Sequence, residues 1–259
     1  DYRVLLWEAP AVAEAAIRSG VARKPYASRE DYVRELENRL SRTRQVMHGI
    51  FDQAKLDPRR IVFPEGEAEK IVRAAKILVE EGICKPMLLG SAPVIQNLLA
   101  QHGVPEGTVE VIDPASDPRR QAYAEVLTRM RWRQGVTPED ARALVRDPVY
   151  FGNVMVHLKD ADGLIAGLTM SYPESIRPAL QIHHTREGIH RVAGIYLLLF
   201  EERMLFIADT TVNEDPDAET LAEIAYLASR VAKIYFLTEA RIAMLSYSNF
   251  GSKIDPRSQ

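Results

Sequence analysis

Cysteine is almost missing from this chain: Cys84 is the single thiol among 259 residues. One cysteine cannot build a disulfide framework, so a disulfide-stapled secreted scaffold is excluded and a reducing cytoplasm is the expected location. Cys84 follows Gly82 and Ile83 beside a predicted strand. We expect a small buried apolar side chain there rather than a nucleophile.

Long apolar runs and an excess of positive charge are lacking too. No stretch reaches the roughly 18–20 apolar residues of a membrane span. We expect no signal peptide at the first residues given. The formal net charge is −3, so no basic field attracts the protein to nucleic acid or to a lipid surface. We therefore expect neither nucleic acid nor a membrane as a partner.

Hydrophobic residues are plentiful, at 46% of the chain, and between residues 61 and 188 short apolar runs alternate with helical patterns. The predicted strands are 61–63, 86–89, 108–112 and 163–166. The predicted helices are 67–81, 93–102 and 174–182, with three more opening at Asp117-Pro118, Thr137-Pro138 and Pro148. Nearly all-apolar strands alternating with helices indicate a mostly parallel sheet that is covered on both faces.

The two ends of the chain follow other patterns. A helix over 8–19 and a long helix over 29–54 are predicted first, and the second is typical of a packing or dimerisation element. After Gly188, apolar runs at 192–199 and 204–208 predict an antiparallel hairpin, followed by a helix over 217–236 and a strand over 242–245. We predict a junction helix and linker (1–27), a first domain (28–188) and a second domain (189–259).

Residues 161–180, ADGLIAGLTMSYPESIRPAL, form the most informative segment. An apolar run breaks into a loop rich in glycine and hydroxyl groups, which leads to a predicted helix opening at Arg177-Pro178. Loop amides and hydroxyls can donate hydrogen bonds to an anion, and a guanidinium can bind a phosphate through two parallel hydrogen bonds. An ordinary αβ connection with a surface arginine is the alternative.

A second segment, ARIAMLSYSNFGS (240–252), repeats this arrangement with an apolar run followed by a polar loop. Two such loops at the carboxyl ends of strands are typical of a ligand-binding crevice. Both segments resemble the phosphate acetyltransferase family, as do FPEGEAEKIVRAAKIL (63–78), YFGNVMV (150–156) and ADTTVNEDPDAETLAEIA (208–225). The resemblance runs from about Arg60 to Ser252.

Residues 4–25, VLLWEAPAVAEAAIRSGVARKP, resemble the last helix of the catalytic region of bacterial NADP-dependent malic enzymes. In the large multidomain members of that group, a phosphotransacetylase-like domain follows this helix. The chain as a whole therefore resembles such a C-terminal domain. The resemblance implies a phosphotransacetylase-like α/β fold, related to isocitrate and isopropylmalate dehydrogenases, with two αβα domains of which the second is incomplete.

The same resemblance implies where a ligand binds, which is a cleft for acetyl-CoA and phosphate between the two domains. One wall would carry Thr169, Ser171, Tyr172 and Arg177. The facing wall would carry Ser248, Asn249, Gly251 and Ser252.

Two departures from the family weaken the case for catalysis. Active members usually carry a Thr-Ala-Asp-Thr-type loop, whereas this chain has SYPES at 171–175, in which Tyr172 and Pro173 fill and stiffen the space for substrate. The family's catalytic Ser-Arg pair and Asp are expected beyond Gln259. No residue of this chain is therefore assigned a catalytic role.

The resemblance implies a regulatory domain that binds acetyl-CoA or a related CoA thioester and forms a homodimer or higher homo-oligomer. Its partner would be the catalytic part of a malic enzyme in the same polypeptide, which converts malate to pyruvate and CO2. No cofactor is expected in this chain, since NADP and a divalent metal (Mg or Mn) belong to that catalytic part. The alternatives are an active phosphate acetyltransferase, which makes acetyl phosphate and CoA, and a purely structural assembly module.

Three further motifs point to structure rather than chemistry. PEGE (64–67) has one glycine and two carboxylates, so we interpret it as a helix N-terminus rather than a phosphate loop. His183, His184 and His190 lack converging carboxylate or cysteine partners, so no metal site is expected. Asp209 and Asn213 are expected to make strand-end hydrogen bonds, with a role in lining the cleft as the alternative.

Overall fold

The computed structural model of the chain describes residues 2–24, 26, 28–38, 42–200, 203–236 and 239–245. The chain divides into two compact units, residues 51–188 and residues 1–50 together with 189–259. The three-part domain prediction stays a prediction. Across the described ranges, no helix combines the length and apolar character needed to cross a membrane.

The first 56 residues contain helices α1 (Tyr2–Arg18), α2 (Arg29–Asn38) and α3 (Arg42–Leu56). Helix α1 begins six residues before the predicted 8–19, and it packs on α2 through the buried side chains of Leu6 and Leu36. Helices α2 and α3 occupy the range of the predicted long helix, and residues 39–41 lie outside the described residues.

The unit of residues 51–188 is built on a four-stranded sheet with the order β3-β2-β1-β4, in which every pair is parallel. Its elements are β1 (Arg59–Phe63), α4 (Glu69–Glu80), β2 (Cys84–Leu89), α5 (Ala92–Gln101), β3 (Glu110–Ile112), α6 (Arg120–Arg131), α7 (Pro138–Leu144), α8 (Pro148–Leu158), β4 (Gly163–Leu164) and α9 (Tyr172–His183). The predicted parallel α/β arrangement is confirmed.

Both faces of this sheet are buried, because neighbouring strand residues point to opposite sides. Val62 and Leu89 belong to one core, which is completed by side chains of α6, α7, α8 and α9. Phe63 and Leu88 belong to the other core, which is completed by α4 and α5. Helices therefore cover the sheet on each side, as the apolar strands predicted.

The predicted strand over 163–166 is shorter in the structure, because β4 contains only Gly163 and Leu164. The backbone N–H of Ile165 still donates to the carbonyl of Val62 at 2.9 Å. Beyond that bond the chain turns into a loop, since Gly167 takes a left-handed φ of +110°. Strand β3 likewise begins at Glu110, two residues later than predicted.

The predicted hairpin of the other unit is confirmed: β5 (Ile195–Leu199) pairs antiparallel with β6 (Met204–Ala208). Helix α10 (Ala218–Phe236) packs on β6, where the rings of Phe206 and Phe236 meet edge to face at 5.1 Å. The strand predicted over 242–245 was wrong. Residues 239–245 have no regular secondary structure, because they share no ladder of hydrogen bonds with β5 or β6.

Candidate ligand-binding site

The carboxyl edge of the parallel sheet carries two loops that lie side by side. Residues 64–68 follow β1 and residues 165–171 follow β4, and the two strands are neighbours in the sheet. Open parallel sheets bind their ligands at this edge, where the strands end and the helices begin. The loop after β4 is the one that the sequence analysis predicted to bind an anion.

A buried glutamate holds that loop in place. Glu65 is only 8% exposed, and its Oε2 accepts hydrogen bonds from the amides of Gly167 at 2.8 Å and Leu168 at 3.0 Å. Its Oε1 accepts from the amide and the hydroxyl of Thr169, the latter at 2.7 Å. One carboxylate from the end of β1 thus takes four hydrogen bonds from three consecutive residues of the loop.

These contacts keep the Glu65 carboxyl ionised. Burial acts to raise the pKa of Glu65, but the hydrogen bonds from Leu168, Thr169 and Gly167 outweigh burial, so the pKa is lowered. A carboxylate that accepts several backbone hydrogen bonds commonly behaves in this way. The charge is therefore part of the folded structure.

The interpretation of PEGE as a helix N-terminus was wrong. Helix α4 begins at Glu69, beyond the motif, because both glutamates bond to other loops. Glu67 accepts a hydrogen bond from the amide of Ser91 at 2.7 Å. Gly66 packs against the end of β2, where an added Cβ would lie 2.7 Å from the carbonyl oxygen of Leu89.

Thr169 and Ser171, two of the predicted ligand donors, have partners within the protein. Thr169 donates to Glu65 through both its amide and its hydroxyl. The amide and hydroxyl of Ser171 both donate to Oε2 of Glu174 at 2.7 Å, as in a capping box. These hydrogens are therefore directed at carboxylates rather than into solvent.

The capping residues also correct the predicted start of the following helix. Helix α9 begins at Tyr172, directly after the N-cap residue Ser171. Arg177 and Pro178 lie inside the helix, so an opening at Arg177-Pro178 was wrong, whereas the predicted range 174–182 begins only two residues late. The Ser-x-x-Glu sequence at 171–174 provides the stronger start signal, because it satisfies free amide groups of the first turn.

Tyr172 and Arg177 remain accessible on this helix. The side chain of Tyr172 is 44% exposed, and Arg177 is exposed as well. Among the described residues, the side chain of Arg177 makes no hydrogen bond or ion pair, although its charge acts on Glu174 and helps to lower the pKa of that carboxyl after the bonds from Ser171. An exposed guanidinium without a bonded carboxylate is available to an anionic ligand.

The sequence analysis missed two residues near Arg177. The hydroxyl of Tyr150 on α8 donates to Oε1 of Gln181 on α9 at 2.7 Å. Burial and then the charge of Asp147 raise the pKa of Tyr150, and the positive charges of Arg177 and Arg131 oppose that rise. Two guanidinium groups, one on α6 and one on α9, therefore lie within electrostatic reach of one phenol.

Arg131 has an unusual environment. Its Nε is buried and has no hydrogen-bond partner within the part of the chain that the structure describes. Buried donors are usually satisfied, so an unpaired one is a candidate for contact with a ligand or water. The sequence did carry a signal, because the residues one turn away on either side (Leu127, Thr128, Gln134 and Gly135) include no carboxylate that could pair with Arg131.

Arg131, Tyr150 and Arg177 together form what we call the arginine site. It offers two positive groups and a phenol that suit phosphate oxygens. It contains no pairing of a nucleophile with a general base. Over the described ranges, no group of three His, Cys, Asp or Glu side chains is placed to hold a metal ion.

The YFGNVMV motif has a packing role besides contributing Tyr150. Asn153 is 2% exposed; its Nδ2 donates to the carbonyl of Val149 at 2.8 Å, and its Oδ1 lies 3.1 Å from Nε2 of His183. Gly152 faces the sheet, where an added Cβ would lie 2.7 Å from Leu164 Cδ1. The motif therefore fixes α8 against α9 and the sheet.

The remaining predicted polar residues are structural as well. The exposed ring of His190 lies 3.8 Å from the largely buried carboxylate of Glu223, which also accepts a hydrogen bond from the His190 amide at 2.7 Å. The carboxylate of Asp209 accepts bonds from the amides of Gly194, Thr211, Val212 and Asn213 and from the Asn213 side chain. The strand-end hydrogen bonding predicted for Asp209 and Asn213 is confirmed.

The four residues predicted for the facing wall, Ser248, Asn249, Gly251 and Ser252, lie outside the described residues. Their assignment stays a prediction.

Comparisons with known proteins agree with the motifs. The chain is 38% identical to the NADP-dependent malic enzyme of Escherichia coli over its whole length, and it spans 34% of that enzyme. It is 38% identical to the phosphate acetyltransferase of Nitratidesulfovibrio vulgaris over 78% of the chain and 29% of that enzyme. The chain thus spans about a third of the length of these curated relatives.

Solved structures lead to the same group. The EutD phosphotransacetylase from Staphylococcus aureus superimposes with a TM-score of 0.73 and 29% identity, over 83% of this chain and 64% of that one. The sequence profile for phosphate acetyl/butaryl transferases matches residues 45–259. The chain therefore belongs to the phosphate acetyl/butaryl transferase family.

Proposed function

We propose that this chain is a regulatory domain that binds acetyl-CoA, or a related CoA thioester, within an NADP-dependent malic enzyme. The observation that carries the proposal is the arginine site, where the charges of Arg131 and Arg177 both act on Tyr150 and the buried Nε of Arg131 has no partner among the described residues. The match to a malic enzyme along the entire chain supports the choice of parent protein.

The chemistry of CoA suits this site. The adenosine end of CoA carries a pyrophosphate and a 3′-phosphate, and guanidinium groups bind such oxygens through charge-assisted hydrogen bonds. The thioester end is apolar and uncharged, so the phosphates supply most of the anionic character. A partly buried arginine donor and an exposed one can engage them without first breaking an ion pair.

Binding of acetyl-CoA at this site would regulate the conversion of malate by the parent enzyme. Malic enzyme converts malate to pyruvate and CO2, and pyruvate is a source of acetyl groups. Inhibition by acetyl-CoA would restrain the supply of its own precursor. In this proposal NADP and Mg or Mn bind to the catalytic part of the same polypeptide, and the domain adds homo-oligomeric contacts in the cytoplasm.

The loop before Arg177 supports binding without transfer. Tyr172 and Pro173 occupy the first turn of α9, and the Glu174 carboxylate adds negative charge next to Ser171. Incoming phosphate is an anion and is repelled by that charge. The amides of residues 167–169, which suit an anion, already bind Glu65.

The test is calorimetric titration of the chain with acetyl-CoA, followed by assays of the full-length parent. Saturable binding and inhibition of malate oxidation are expected. Linkage then requires malate or NADP to weaken acetyl-CoA binding by the same factor, for a coupling free energy of about 1–3 kcal/mol. Absence of binding would favour an assembly module, and full activity at saturating acetyl-CoA would refute regulation.

An active phosphate acetyltransferase is the second candidate. The identity to the Nitratidesulfovibrio vulgaris enzyme, at 38%, equals the identity to the malic enzyme. This candidate predicts that the chain transfers an acetyl group from CoA to phosphate, whereas the regulatory domain is expected to bind acetyl-CoA without transfer.

A further inference from the structure

The carboxylate of Glu65 joins two distant parts of the chain at the candidate site. It belongs to the loop after β1, and its four hydrogen-bond donors belong to residues 167–169, after β4. Consecutive backbone amides that point to one spot form a concave anion-binding nest. Here the anion is a side chain of the protein itself, and Gly167 reaches the required backbone geometry with its left-handed φ of +110°.

The loop that Glu65 holds leads directly into α9. Thr169 donates the last of these hydrogen bonds to Glu65, and Ser171 starts the helix two residues later through its bonds to Glu174. Two carboxylates therefore fix the loop in succession. Arg177 is the sixth residue after Ser171, so it lies in the first two turns of α9. The placement of this arginine therefore depends on the conformation of the loop.

We propose that Glu65 is a positioning residue, which sets the loop of residues 167–171 and thereby aims Arg177 at the phosphates of the ligand. The identity of that ligand rests on the proposed function, whereas the setting of the loop does not. Glu65 itself is buried and engaged by its four donors, so it acts through the loop rather than by touching the ligand.

The charge of Glu65 is necessary for this role. A carboxylate has only acceptor atoms, so each oxygen can take two of the four donors. Glutamine has nearly the same shape, but its NH2 group would face amide N–H groups and leave partly buried donors without a partner. Glu65→Gln is therefore expected to loosen residues 167–169 although it changes the side-chain volume very little.

Glu67→Gln is the matched control. Glu67 lies two residues away on the same edge and accepts an amide hydrogen bond from Ser91, which follows β2 rather than β4. The control therefore removes a similar charge from the same turn. It leaves the proposed positioning contact unchanged.

The experiment measures amide hydrogen exchange at residues 167–169 and acetyl-CoA affinity in the wild type and both variants. Glu65→Gln should accelerate exchange at these amides at least tenfold and raise the Kd for acetyl-CoA about tenfold, at temperatures where circular dichroism shows it folded. Glu67→Gln should change neither value by more than about twofold. Equal exchange in all three proteins, or faster exchange with an unchanged Kd, would overturn the proposal.

Wild-type protein supplies a second measurement that is independent of variant folding. The carboxyl carbon of Glu65 and the amide of Thr169 should shift together in an NMR titration with acid, and independent titration would overturn the proposal. If wild-type protein fails to bind acetyl-CoA, the proposed function fails, while the exchange and titration data still decide whether Glu65 sets the loop.

Discussion

Arg60 and Asp162 tie the start of β1 to the start of β4 through a bidentate ion pair. Oδ2 of Asp162 accepts hydrogen bonds from the Arg60 amide at 2.9 Å and from its Nε at 3.2 Å, and Oδ1 accepts from Nη2 at 3.1 Å. The side-chain bond with Arg60 is the main reason that the pKa of Asp162 falls from 3.8 to about 2. The pair lies where β1 and β4 begin, at the other end of these strands from the loops that follow them.

This pair predicts a loss of stability in acid. The pKa of Asp162 is lower in the folded protein than in the unfolded chain. Its contribution to the free energy of unfolding is therefore complete above pH 3.8 and is lost as the pH falls towards 2. Asp162→Asn should lower the free energy of unfolding at pH 7 and flatten its pH dependence between pH 4 and 2. Urea unfolding at several pH values measures both effects.

The control for this prediction is Asp57→Asn. Asp57 pairs with Arg59 in the same segment, but both side chains are more than half exposed, and exposed pairs contribute little. Its pH profile should match the wild type. A similar change in both variants would show that the bidentate geometry at Asp162 has no special effect.

A second prediction concerns the contact between α8 and the sheet. Gly152→Ala would place a methyl group 2.7 Å from Leu164 Cδ1 and 2.9 Å from Val62 Cγ1. Overpacking of this kind costs about 1–3 kcal/mol of the free energy of unfolding. Gly49→Ala on α3 is the contrast, since nothing lies within 4 Å of its added methyl and alanine favours a helix by about 0.5–1 kcal/mol. Opposite signs in denaturant unfolding are expected, and equal losses would contradict the packing argument.

The third prediction tests the arginine site directly. Arg131→Ala and Arg177→Ala should each weaken acetyl-CoA binding about tenfold or more, because a charge-assisted hydrogen bond contributes roughly 1.5–3 kcal/mol. Arg129→Ala removes an exposed arginine from the same helix as Arg131 and should leave the Kd within about twofold. Calorimetry measures all three, and wild-type affinity in both site variants would place the ligand elsewhere.

The fourth prediction is that the chain has little or no acetyltransferase activity. No nucleophile and base are paired among Arg131, Tyr150 and Arg177, and the negative charge of Glu174 next to Ser171 opposes the approach of phosphate. Arsenolysis of acetyl-CoA and formation of acetyl phosphate are the assays, and the full-length parent must be tested beside the chain. Turnover near that of a dedicated phosphotransacetylase would support the second candidate.

Local signals in the sequence predicted most of the fold. A helix opens at Thr137-Pro138 as predicted, where Thr137 forms a capping box, and Asp147 caps α8 just before Pro148. These signals act within four residues. The alternation of short apolar strands with helices, which predicts a parallel pairing such as that of β1 with β2, can also be read from the sequence. Boundaries failed where two local signals competed, as at Ser171 and Arg177, or where a strand needed a partner, as at 242–245.

The candidate site was harder to predict because its contacts are not local. Glu65 and Thr169 are 104 positions apart, so no periodicity relates them, and PEGE was interpreted from its neighbours alone. Arg177 was identified from the polar loop that precedes it, and the family resemblance then assigned it to a wall of the cleft. Arg131 was not identified, because the lack of a carboxylate one helical turn away does not by itself single out an arginine, and its unpaired Nε depends on the packing of α6.

The order of the strands in the sheet has a consequence during protein synthesis. Strand β1 pairs with β2 soon after both have been made, but its other edge is completed only by β4. About a hundred residues separate β1 from β4, so at about 5–20 residues per second a ribosome leaves that edge open for about 5–20 seconds. An unpaired apolar edge can join another nascent chain. The growing polypeptide is therefore most prone to aggregate, and most dependent on chaperones, before residue 164 leaves the exit tunnel.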